Sequence, residues 1–315
     1  MDKKILEVKN LSIDFSLENQ KVSALRNIDF YVEAGESVGL VGESGSGKSL
    51  LSLAIMGLLP STASIPQGQV LFHGENLLSI SKDKLRALCG KSISMIFQDP
   101  MSALNPVLTL EQQMKMLLEA HQGSLSRQQV RDQAINLFNL VQLPEPALRL
   151  KSYAFEMSGG QAQRAMIAMA MACKPKLLIA DEPTTALDVT IQAQIMSLLR
   201  QLQKEKNLSL IFISHDLALI SQNTKRIYAL YAGEIIEEGL TQKITESPKH
   251  PYTQALLSCL PAKQNNSEQM ISIPGQVPSL KNRPTGCQFQ TRCVKKVAKC
   301  EIERPELLNS SRCFF

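Results

Sequence analysis

The chain has 315 residues, of which 44% are hydrophobic and 20% charged, and its formal net charge is +5. This composition is typical of a folded globular protein and excludes a disordered chain. Lysine and arginine are scattered, so the charge does not indicate a nucleic-acid partner. The opening MDKKILEVKN has no apolar secretion signal behind it, and no apolar run reaches the ~18 residues of a transmembrane helix. We therefore expect a protein that is made and kept in the cytoplasm.

Strand-like and helix-like segments alternate along most of the chain. ILEVKNLSIDFSL, near the N-terminus, alternates loosely with a period of two, which is typical of an antiparallel sheet with one exposed face. The later apolar runs of strand length are ESVGLVG, KLLIAD and SLIFIS. Helices are predicted in KSLLSLAIMGLL, in QAQRAMIAMAMAC, in TIQAQIMSLLRQLQKE and in most of residues 105–150. Such alternation predicts an α/β fold with a mainly parallel sheet.

Residues 42–49, GESGSGKS, fit the phosphate-binding pattern G-x-x-x-x-G-K-[ST], between a predicted strand and a predicted helix. Glycines let the backbone wrap a phosphate, and successive N–H groups at a helix N-terminus then face the anion. Lys48 would reach the β- and γ-phosphates, and Ser49 would ligate Mg²⁺. The nucleotide-binding residues predicted in this loop are Gly42, Ser44, Gly45, Ser46, Gly47, Lys48 and Ser49.

The run LLIADEP places two acids at the end of a predicted strand. Asp181 would hold Mg²⁺, directly or through water, and Glu182 would act as the general base toward the attacking water. The alternative is a pair of acids that caps the next helix. The phosphate-binding loop earlier in the chain favours the catalytic interpretation.

The segment MSGGQAQR at residues 157–164, with FQDP, ALD and SHD, completes a set of six motifs in order. Across roughly residues 5–240, the chain resembles the nucleotide-binding subunit of ATP-binding cassette (ABC) transporters. The resemblance implies an ABC-type P-loop NTPase with a RecA-like parallel core, an antiparallel β subdomain and a helical subdomain at about 100–175. Residues 1–260 would form this domain. A small cysteine-rich extension, residues 261–315, would follow and would begin with a polar linker in 261–270.

The family's roles carry over to matching positions. Ser158, Gly159, Gly160 and Gln161 resemble the signature loop, which contacts the γ-phosphate of ATP held by the opposite subunit. Gln98 resembles the residue that contacts Mg²⁺ or its water and senses the transport subunits, His215 the switch histidine, and Asp188 the residue at the dimer seam. The implied catalytic set is Glu182, His215 and Gln98, and the implied magnesium set is Ser49, Gln98 and Asp181. Phe15 is the candidate for stacking on adenine, although an aromatic residue there also suits a strand.

The subfamily resemblance rests on HPYTQALL, IPGQVPS and GCQFQTRC as well as the catalytic motifs. Together they are similar to the ATPase subunits of bacterial dipeptide, oligopeptide and nickel importers, nearest to the dipeptide-permease type. YAFEMSGGQ and SQNTKRIYALY depart from the usual pattern, but neither departure touches a catalytic position. The alternative is a soluble ABC ATPase that acts on nucleic acid or ribosomes, which the single cassette without a heptad run or basic stripe opposes.

This resemblance implies an ATPase that couples hydrolysis to import, peripheral on the cytoplasmic face of the bacterial inner membrane. Its partners would be two transmembrane permease subunits and a second ATPase subunit, either a copy of itself or a sibling. An extracytoplasmic substrate-binding protein would join through the complex, and no nucleic acid is expected. The cargo and the choice between homodimer and heterodimer stay open.

Four of the seven cysteines lie near the C-terminus, namely Cys287, Cys293, Cys300 and Cys313. Cytoplasmic thiols stay reduced, so a cluster of cysteines indicates metal binding or reactivity before disulfides. Four thiolates favour an Fe–S cluster or Zn²⁺, and the wide spacing is unlike that of structural zinc sites. The subfamily resemblance implies a [4Fe–4S] cluster, with zinc and unligated thiols as alternatives. Its predicted role is to staple a tail that lacks a core of its own.

Overall fold

The computed structural model describes residues 3–17, 20–185, 187–259 and 272–315. The chain divides into two units, one formed by residues 1–79 and 212–315 and the other by residues 80–211. We call them unit 1 and unit 2. The predicted linker, 261–270, lies outside the described residues.

Strands and helices alternate through the described residues, as the sequence pattern predicts. The strands are β1 Lys4–Leu17, β2 Gln20–Glu33, β3 Ser37–Val41, β4 Ala63–Phe72, β5 Glu75–Asn76, β6 Ile93–Ile96, β7 Leu177–Asp181, β8 Ser209–Ser214, β9 Arg226–Tyr231 and β10 Glu234–Leu240. The helices are α1 Lys48–Ile55, α2 Lys82–Leu88, α3 Pro100–Ala103, α4 Leu110–Gln122, α5 Arg127–Leu140, α6 Pro146–Arg149, α7 Gly159–Met171, α8 Val189–Lys206, α9 Leu217–Asn223, α10 Thr241–Glu246, α11 Pro251–Ser258 and α12 Lys299–Ile302.

Unit 1 begins with an antiparallel sheet in the order β2-β1-β4-β5. The loose alternation of β1 has a structural cause. Leu6 and Val8 are buried two residues apart, and Leu11 and Ile13 repeat that spacing after one extra residue. The pairing register shifts between Val8 and Leu11, where Asn10 has a φ of 47°. This β-bulge keeps both apolar pairs on the buried face.

The rest of unit 1 includes strands β3, β9 and β10 and the phosphate-binding segment of residues 42–49. Strand β3 pairs in parallel with β9, and β9 pairs antiparallel with β10. All five residues of β3 are buried, which is the pattern of a strand covered on both faces. Helices α9, α10, α11 and α12 also belong to this unit. Much of the chain from residue 272 onward has no regular secondary structure.

Unit 2 is mainly helical. Strands β6 and β7 pair in parallel, and α2 to α8 belong to the same unit. Helices α4 and α5 begin with matching capping boxes, Thr109 with Gln112 and Ser126 with Gln129. On α4 and α5, Leu118 and Val130 are buried against each other with Ala172. The boundary between the units falls within β8, between residues 211 and 212.

The predicted α/β class is confirmed, as are the antiparallel pairing near the N-terminus and the helical character of residues 105–150. That residues 261–315 form an extension of their own stays a prediction. The described part of that segment belongs to unit 1 together with the antiparallel sheet.

Candidate active site

The phosphate-binding loop lies in unit 1 between β3 and α1. A Cβ at position 42 would collide with the Leu230 carbonyl oxygen, and Gly47 has a φ of 105°, which other residues rarely adopt. Both positions therefore require glycine. The Gly233 amide donates to the Ser46 carbonyl oxygen at 2.9 Å, which ties the loop to the turn between β9 and β10. The protein's own contacts thus set the path of the loop.

Lys48 is 4% exposed and extends along the inside of this loop. Its Nζ donates to the carbonyl oxygens of Gly42 at 2.7 Å and Glu43 at 3.0 Å, and lies 3.4 Å from the Ser46 Oγ. A phosphate would offer this ammonium group a charge-assisted bond, which is stronger than a bond to a neutral carbonyl oxygen.

The mouth of the loop is open to solvent. Ser44, Gly45 and Ser49 are exposed, whereas Ser46 is fully buried. The N-cap of α1 is Gly47, which has no side chain with which to cap the first turn. The first N–H groups of α1 can therefore serve an anion.

Two residues from the C-terminal third of the chain hold Glu43, and sequence reasoning missed both. The Glu43 amide donates to the Tyr252 hydroxyl at 2.8 Å, and the carboxylate accepts two hydrogen bonds from Arg292 at 2.9 and 3.0 Å. Tyr252 belongs to the HPYTQALL motif and Arg292 to the GCQFQTRC motif. Both motifs carried the subfamily resemblance, so they were the available signal, but spacing alone assigns them no contact.

The acidic pair predicted to act in catalysis lies in unit 2. Asp181 ends β7 and is 4% exposed. Glu182 follows with a φ of 44°, in the left-handed region, which for a residue other than glycine often marks a functional site. Its Oε2 accepts from the Gln98 Nε2 at 2.9 Å and from the Thr185 hydroxyl at 2.9 Å. The structure thus brings Gln98 and Glu182 together and adds Thr185, which the sequence did not single out.

The signature loop also lies in unit 2, at the start of α7. Ser158 caps the helix by accepting from the Gln161 amide, and the Gln161 side chain accepts from the Ser158 amide at 3.2 Å. Ser158 and Gly159 are exposed. A Cβ at position 160 would come within 2.9 Å of Ile191, so the packing favours glycine there. The loop therefore presents a helix N-terminus with small residues to solvent.

A buried arginine anchors this helix. Arg164 donates to the Val141 carbonyl oxygen at 2.7 Å and to the Gln194 side chain at 3.0 Å. Burial lowers the pKa of its guanidinium. The hydrogen bonds connect α7 to the end of α5 and to α8.

Of the remaining predicted residues, Asp188 and His215 lie at the ends of secondary-structure elements, and Phe15 lies within a strand. Asp188 is exposed and caps α8, where its carboxylate accepts from the Ile191 amide at 2.9 Å. His215 is exposed directly after β8. Phe15 is half-buried in β1 and is paired with Val22 and Ala63. Their roles toward ATP stay predictions.

The thiol of Cys287 is influenced electrostatically by the three other C-terminal cysteines. The Cys287 amide donates to the Cys300 carbonyl oxygen at 2.8 Å. Burial raises the pKa of Cys287 to about 11, and the neighbouring Cys300, Cys293 and Cys313 add to the rise. Within residues 3–17, 20–185, 187–259 and 272–315, however, no group of three or more His, Cys, Asp or Glu side chains is arranged to hold a metal ion.

Among the helices that the structure describes, none is both long enough and apolar enough to span a membrane.

Two family models match the chain. The model described as ABC transporter matches residues 25–185, and the model described as Oligopeptide/dipeptide transporter, C-terminal region, matches residues 236–300. The first covers the phosphate-binding loop, the signature loop and the acidic pair. The second reaches from β10 to Cys300 and includes both residues that hold Glu43.

Curated relatives are similar along nearly their whole length. The chain is 47% identical over 303 residues to the dipeptide transport ATP-binding protein DppD of Escherichia coli, covering 96% of this chain and 92% of that protein. DppD of Haemophilus influenzae is 46% identical over 303 residues, with the same coverage. A putative peptide import ATP-binding protein of Brucella abortus is 45% identical over 301 residues, covering 96% of this chain and 90% of that protein.

Solved structures agree in fold. The dimeric bacterial ABC transporter cassette MJ0796 superposes with a TM-score of 0.67 at 28% identity, covering 75% of this chain and 98% of that one. The same cassette in a post-hydrolysis state bound to ADP and Pi gives a TM-score of 0.68 at 28% identity and equal coverage. From the family match, the relatives and these structures, the chain belongs to the ABC transporter family, as an ATPase that carries the C-terminal region of the oligopeptide/dipeptide transporters.

Proposed function

We propose that this chain is the ATP-hydrolysing, energy-coupling subunit of an ABC importer for dipeptides or oligopeptides, or for a related cargo such as nickel. The observation that carries the proposal is the presence of both family matches on one chain, with relatives named as dipeptide or peptide import ATP-binding proteins over 96% of its length.

Within this proposal, the loop of residues 42–49 binds the phosphates of ATP. Lys48 exchanges its bonds to Gly42 and Glu43 for the β- and γ-phosphates, and the first turn of α1 adds N–H donors. Phe15 stacks on the adenine, with the alternative that it serves only the sheet. Glu182 accepts a proton from the attacking water, and its contact with Gln98 keeps the carboxylate oriented. His215 contacts the γ-phosphate.

The predicted magnesium residues fit the ion in their chemistry. Ser49, Gln98 and Asp181 offer a hydroxyl, an amide and a carboxylate oxygen, and Mg²⁺ prefers oxygen ligands. When bound, the ion would neutralise charge on the phosphates. Asp181 lies at the end of β7 and is 4% exposed, and its carboxylate is the kind of oxygen ligand that Mg²⁺ prefers.

We further propose that each ATP is shared between two polypeptides. The exposed signature loop, Ser158 to Gln161, would supply N–H donors to the γ-phosphate bound by the phosphate-binding loop of the opposite subunit. Asp188 would lie at the interface between the two ATPase subunits. Two ATP would close the dimer and hydrolysis would release it, and this closure would move the transport subunits between states.

The proposed partners follow from this role. They are two transmembrane permease subunits, a second ATPase subunit and, through the complex, an extracytoplasmic substrate-binding protein. The chain would be peripheral on the cytoplasmic face of the bacterial inner membrane. We propose residues 1–260 as the nucleotide-binding domain, with its helical subdomain at about 100–175, and residues 261–315 as the extension.

For the extension we propose a [4Fe–4S] cluster on Cys287, Cys293, Cys300 and Cys313. The support is chemical, since four soft sulfur donors are the ligands that such a cluster takes, and the neighbouring cysteines contribute to the raised pKa values of Cys287 and Cys293. When bound, the cluster would crosslink loops that otherwise have little regular structure. Anaerobic purification with iron and zinc analysis tests it. We expect about four irons per chain; one zinc or no metal would refute the cluster.

The function is tested by expressing the chain with its neighbouring permease and binding-protein subunits in proteoliposomes. We expect ATP hydrolysis and peptide uptake to occur together. We also expect that only stripping agents release the chain from membranes. Co-sedimentation with ribosomes or DNA, without stimulation by the permeases, would favour the soluble ABC ATPase and contradict the proposal.

A further inference from the structure

The C-terminal cysteine segment reaches the phosphate-binding loop through one side chain. We infer that Arg292 is a positioning residue for ATP binding, which neutralises and clamps Glu43 and so makes nucleotide affinity depend on the tail. The inference rests on the ATP site proposed above. It assigns the tail a role beyond the local staple that the sequence predicted.

The Arg292 guanidinium makes five hydrogen bonds, two of them to the Glu43 carboxylate. NH1 donates to Glu43 Oε1 at 2.9 Å and NH2 to Glu43 Oε2 at 3.0 Å, a two-pronged pair between residues 249 positions apart. The guanidinium also donates to the Pro274 carbonyl oxygen at 2.8 Å, the Ile273 carbonyl oxygen at 3.2 Å and the Tyr231 hydroxyl at 3.3 Å. These five bonds use every N–H that an arginine side chain offers.

The pair is shielded from water on the arginine side. The Arg292 side chain is 3% exposed and that of Glu43 is 29% exposed. An arginine side chain keeps its charge in proteins, and here the guanidinium faces the Glu43 carboxylate through two hydrogen bonds. The arginine is therefore a fixed cation, and its orientation follows from the segment that carries it.

Three aromatic rings pack against one another beside the Arg292–Glu43 pair. Tyr231, Tyr252 and Phe289 contact one another, with ring centroids 4.7, 5.2 and 5.4 Å apart. Phe289 belongs to the tail and is 3% exposed, and it lies three residues before Arg292. Tyr252 also accepts the hydrogen bond from the Glu43 amide. Movement of the tail would thus reach Glu43 through both its side chain and its backbone.

Glu43 matters to the phosphate site in two ways. Its carbonyl oxygen accepts from Lys48 Nζ at 3.0 Å and from the Ser46 amide at 3.2 Å, so its position affects the groups that would face phosphate. Its carboxylate lies on the same loop, and an unpaired negative charge there would repel the phosphates of ATP. Arg292 removes that repulsion by pairing with it.

The test combines single and double variants of the full chain. We expect Arg292→Met to weaken Mg-ATP binding about tenfold, about 1.4 kcal/mol. In the assembled transporter, KM should rise while kcat changes less than threefold. Adding Glu43→Gln to Arg292→Met should restore affinity to within about threefold of the unsubstituted chain, because the repelling charge is then gone.

The matched control is Arg312→Met. Arg312, like Arg292, directly precedes a tail cysteine, but its side chain donates to the carbonyl oxygens of Ile235 and Pro305 at 3.0 Å each. A general loss of tail stability would appear in both variants, and an effect through Glu43 only in Arg292→Met. Equal affinity in Arg292→Met and unsubstituted chain, or no recovery in the double variant, would overturn the inference.

If Arg292→Met cannot be purified folded, Glu43→Gln alone decides. It leaves the cation facing the loop without its carboxylate, so we expect Mg-ATP affinity to rise about threefold. Equal or weaker affinity would overturn the inference. Failure of the unsubstituted chain to bind Mg-ATP would instead refute the proposed ATP site.

Discussion

The two loops that the family resemblance assigns to phosphate differ in how the chain holds them. The phosphate-binding loop in unit 1 is fixed by distant residues, since Gly233, Tyr252 and Arg292 all bond to it. The signature loop in unit 2 is exposed and is held by its own capping box, Ser158 with Gln161. The first loop is therefore fixed by distant parts of its own chain, whereas the second presents an exposed helix N-terminus to solvent.

The largest effect is expected at the acidic pair. Glu182→Gln removes the proposed base while it keeps a side chain that can hydrogen-bond, so ATP hydrolysis should fall by roughly 10²–10⁴-fold. Binding of ATP at the phosphate-binding loop should persist, and a closed dimer should accumulate. Phosphate release and size-exclusion chromatography with ATP measure the two effects.

The control for that variant is Glu205→Gln, an exposed acid on α8. It should leave turnover unchanged. Normal turnover in Glu182→Gln would show that another group activates the water.

The next effect separates binding from hydrolysis. Lys48→Met removes the charged donor of the phosphate-binding loop and should weaken Mg-ATP binding about hundredfold, since bonds to a charged phosphate are worth about 2–3 kcal/mol. Isothermal titration calorimetry on the full chain gives the affinity. Lys204→Met, an exposed lysine on α8, should bind normally. Unchanged affinity in Lys48→Met would remove Lys48 from the site.

Lowering the pH should destabilise unit 1 through His250, which is 1% exposed. Burial lowers the pKa of His250 from 6.5 to about 3, and the charge of Arg312 adds to the effect. Because the unfolded chain then binds the proton more readily, stability is retained above pH 6.5 and falls as the pH decreases toward 3. We expect a loss of about 2 kcal/mol in the free energy of unfolding at pH 5.

Urea unfolding between pH 5 and 7.5 measures that loss. His250→Asn keeps an acceptor for the Tyr252 amide and removes the titration, so its pH slope should be flatter. His121→Asn, at a half-buried position in unit 2, should retain most of the slope. Equal slopes in all three proteins would exclude His250 as the cause.

The smallest effect concerns the signature loop. Ser158→Ala removes the N-cap of α7, which costs about 1 kcal/mol of stability, and we expect hydrolysis to fall about tenfold with ATP affinity of the single chain unchanged. Ser126→Ala removes the equivalent cap of α5 and supplies a matched control. It should lose similar stability but hydrolyse normally. Equal hydrolysis in the two variants would mean that Ser158 only caps its helix.

Sequence patterns located the parts of the site that are local. A buried strand, a glycine-rich turn and a helix follow one another within residues 37–55, so the phosphate-binding loop could be placed by spacing alone. The capping box of the signature loop likewise involves only residues close in sequence, Ser158 to Gln161.

Contacts between distant residues could not be predicted in this way. The bonds from Tyr252 and Arg292 to Glu43 span 209 and 249 positions, and they depend on how β10, α11 and the tail fold back in unit 1. The sequence assigned the tail a metal-binding staple, but it gave no reason to connect the tail to the phosphate-binding loop. Thr185 was missed for a simpler reason, because a threonine after two acids carries no distinctive pattern.

We propose that each ATP is hydrolysed between two polypeptides. The most direct measurement is the turnover per chain across serial dilution, with and without added second ATPase subunit. We expect turnover per chain to fall on dilution and to recover as the second subunit is added. A constant, full rate at concentrations where the chain is strictly monomeric would contradict it.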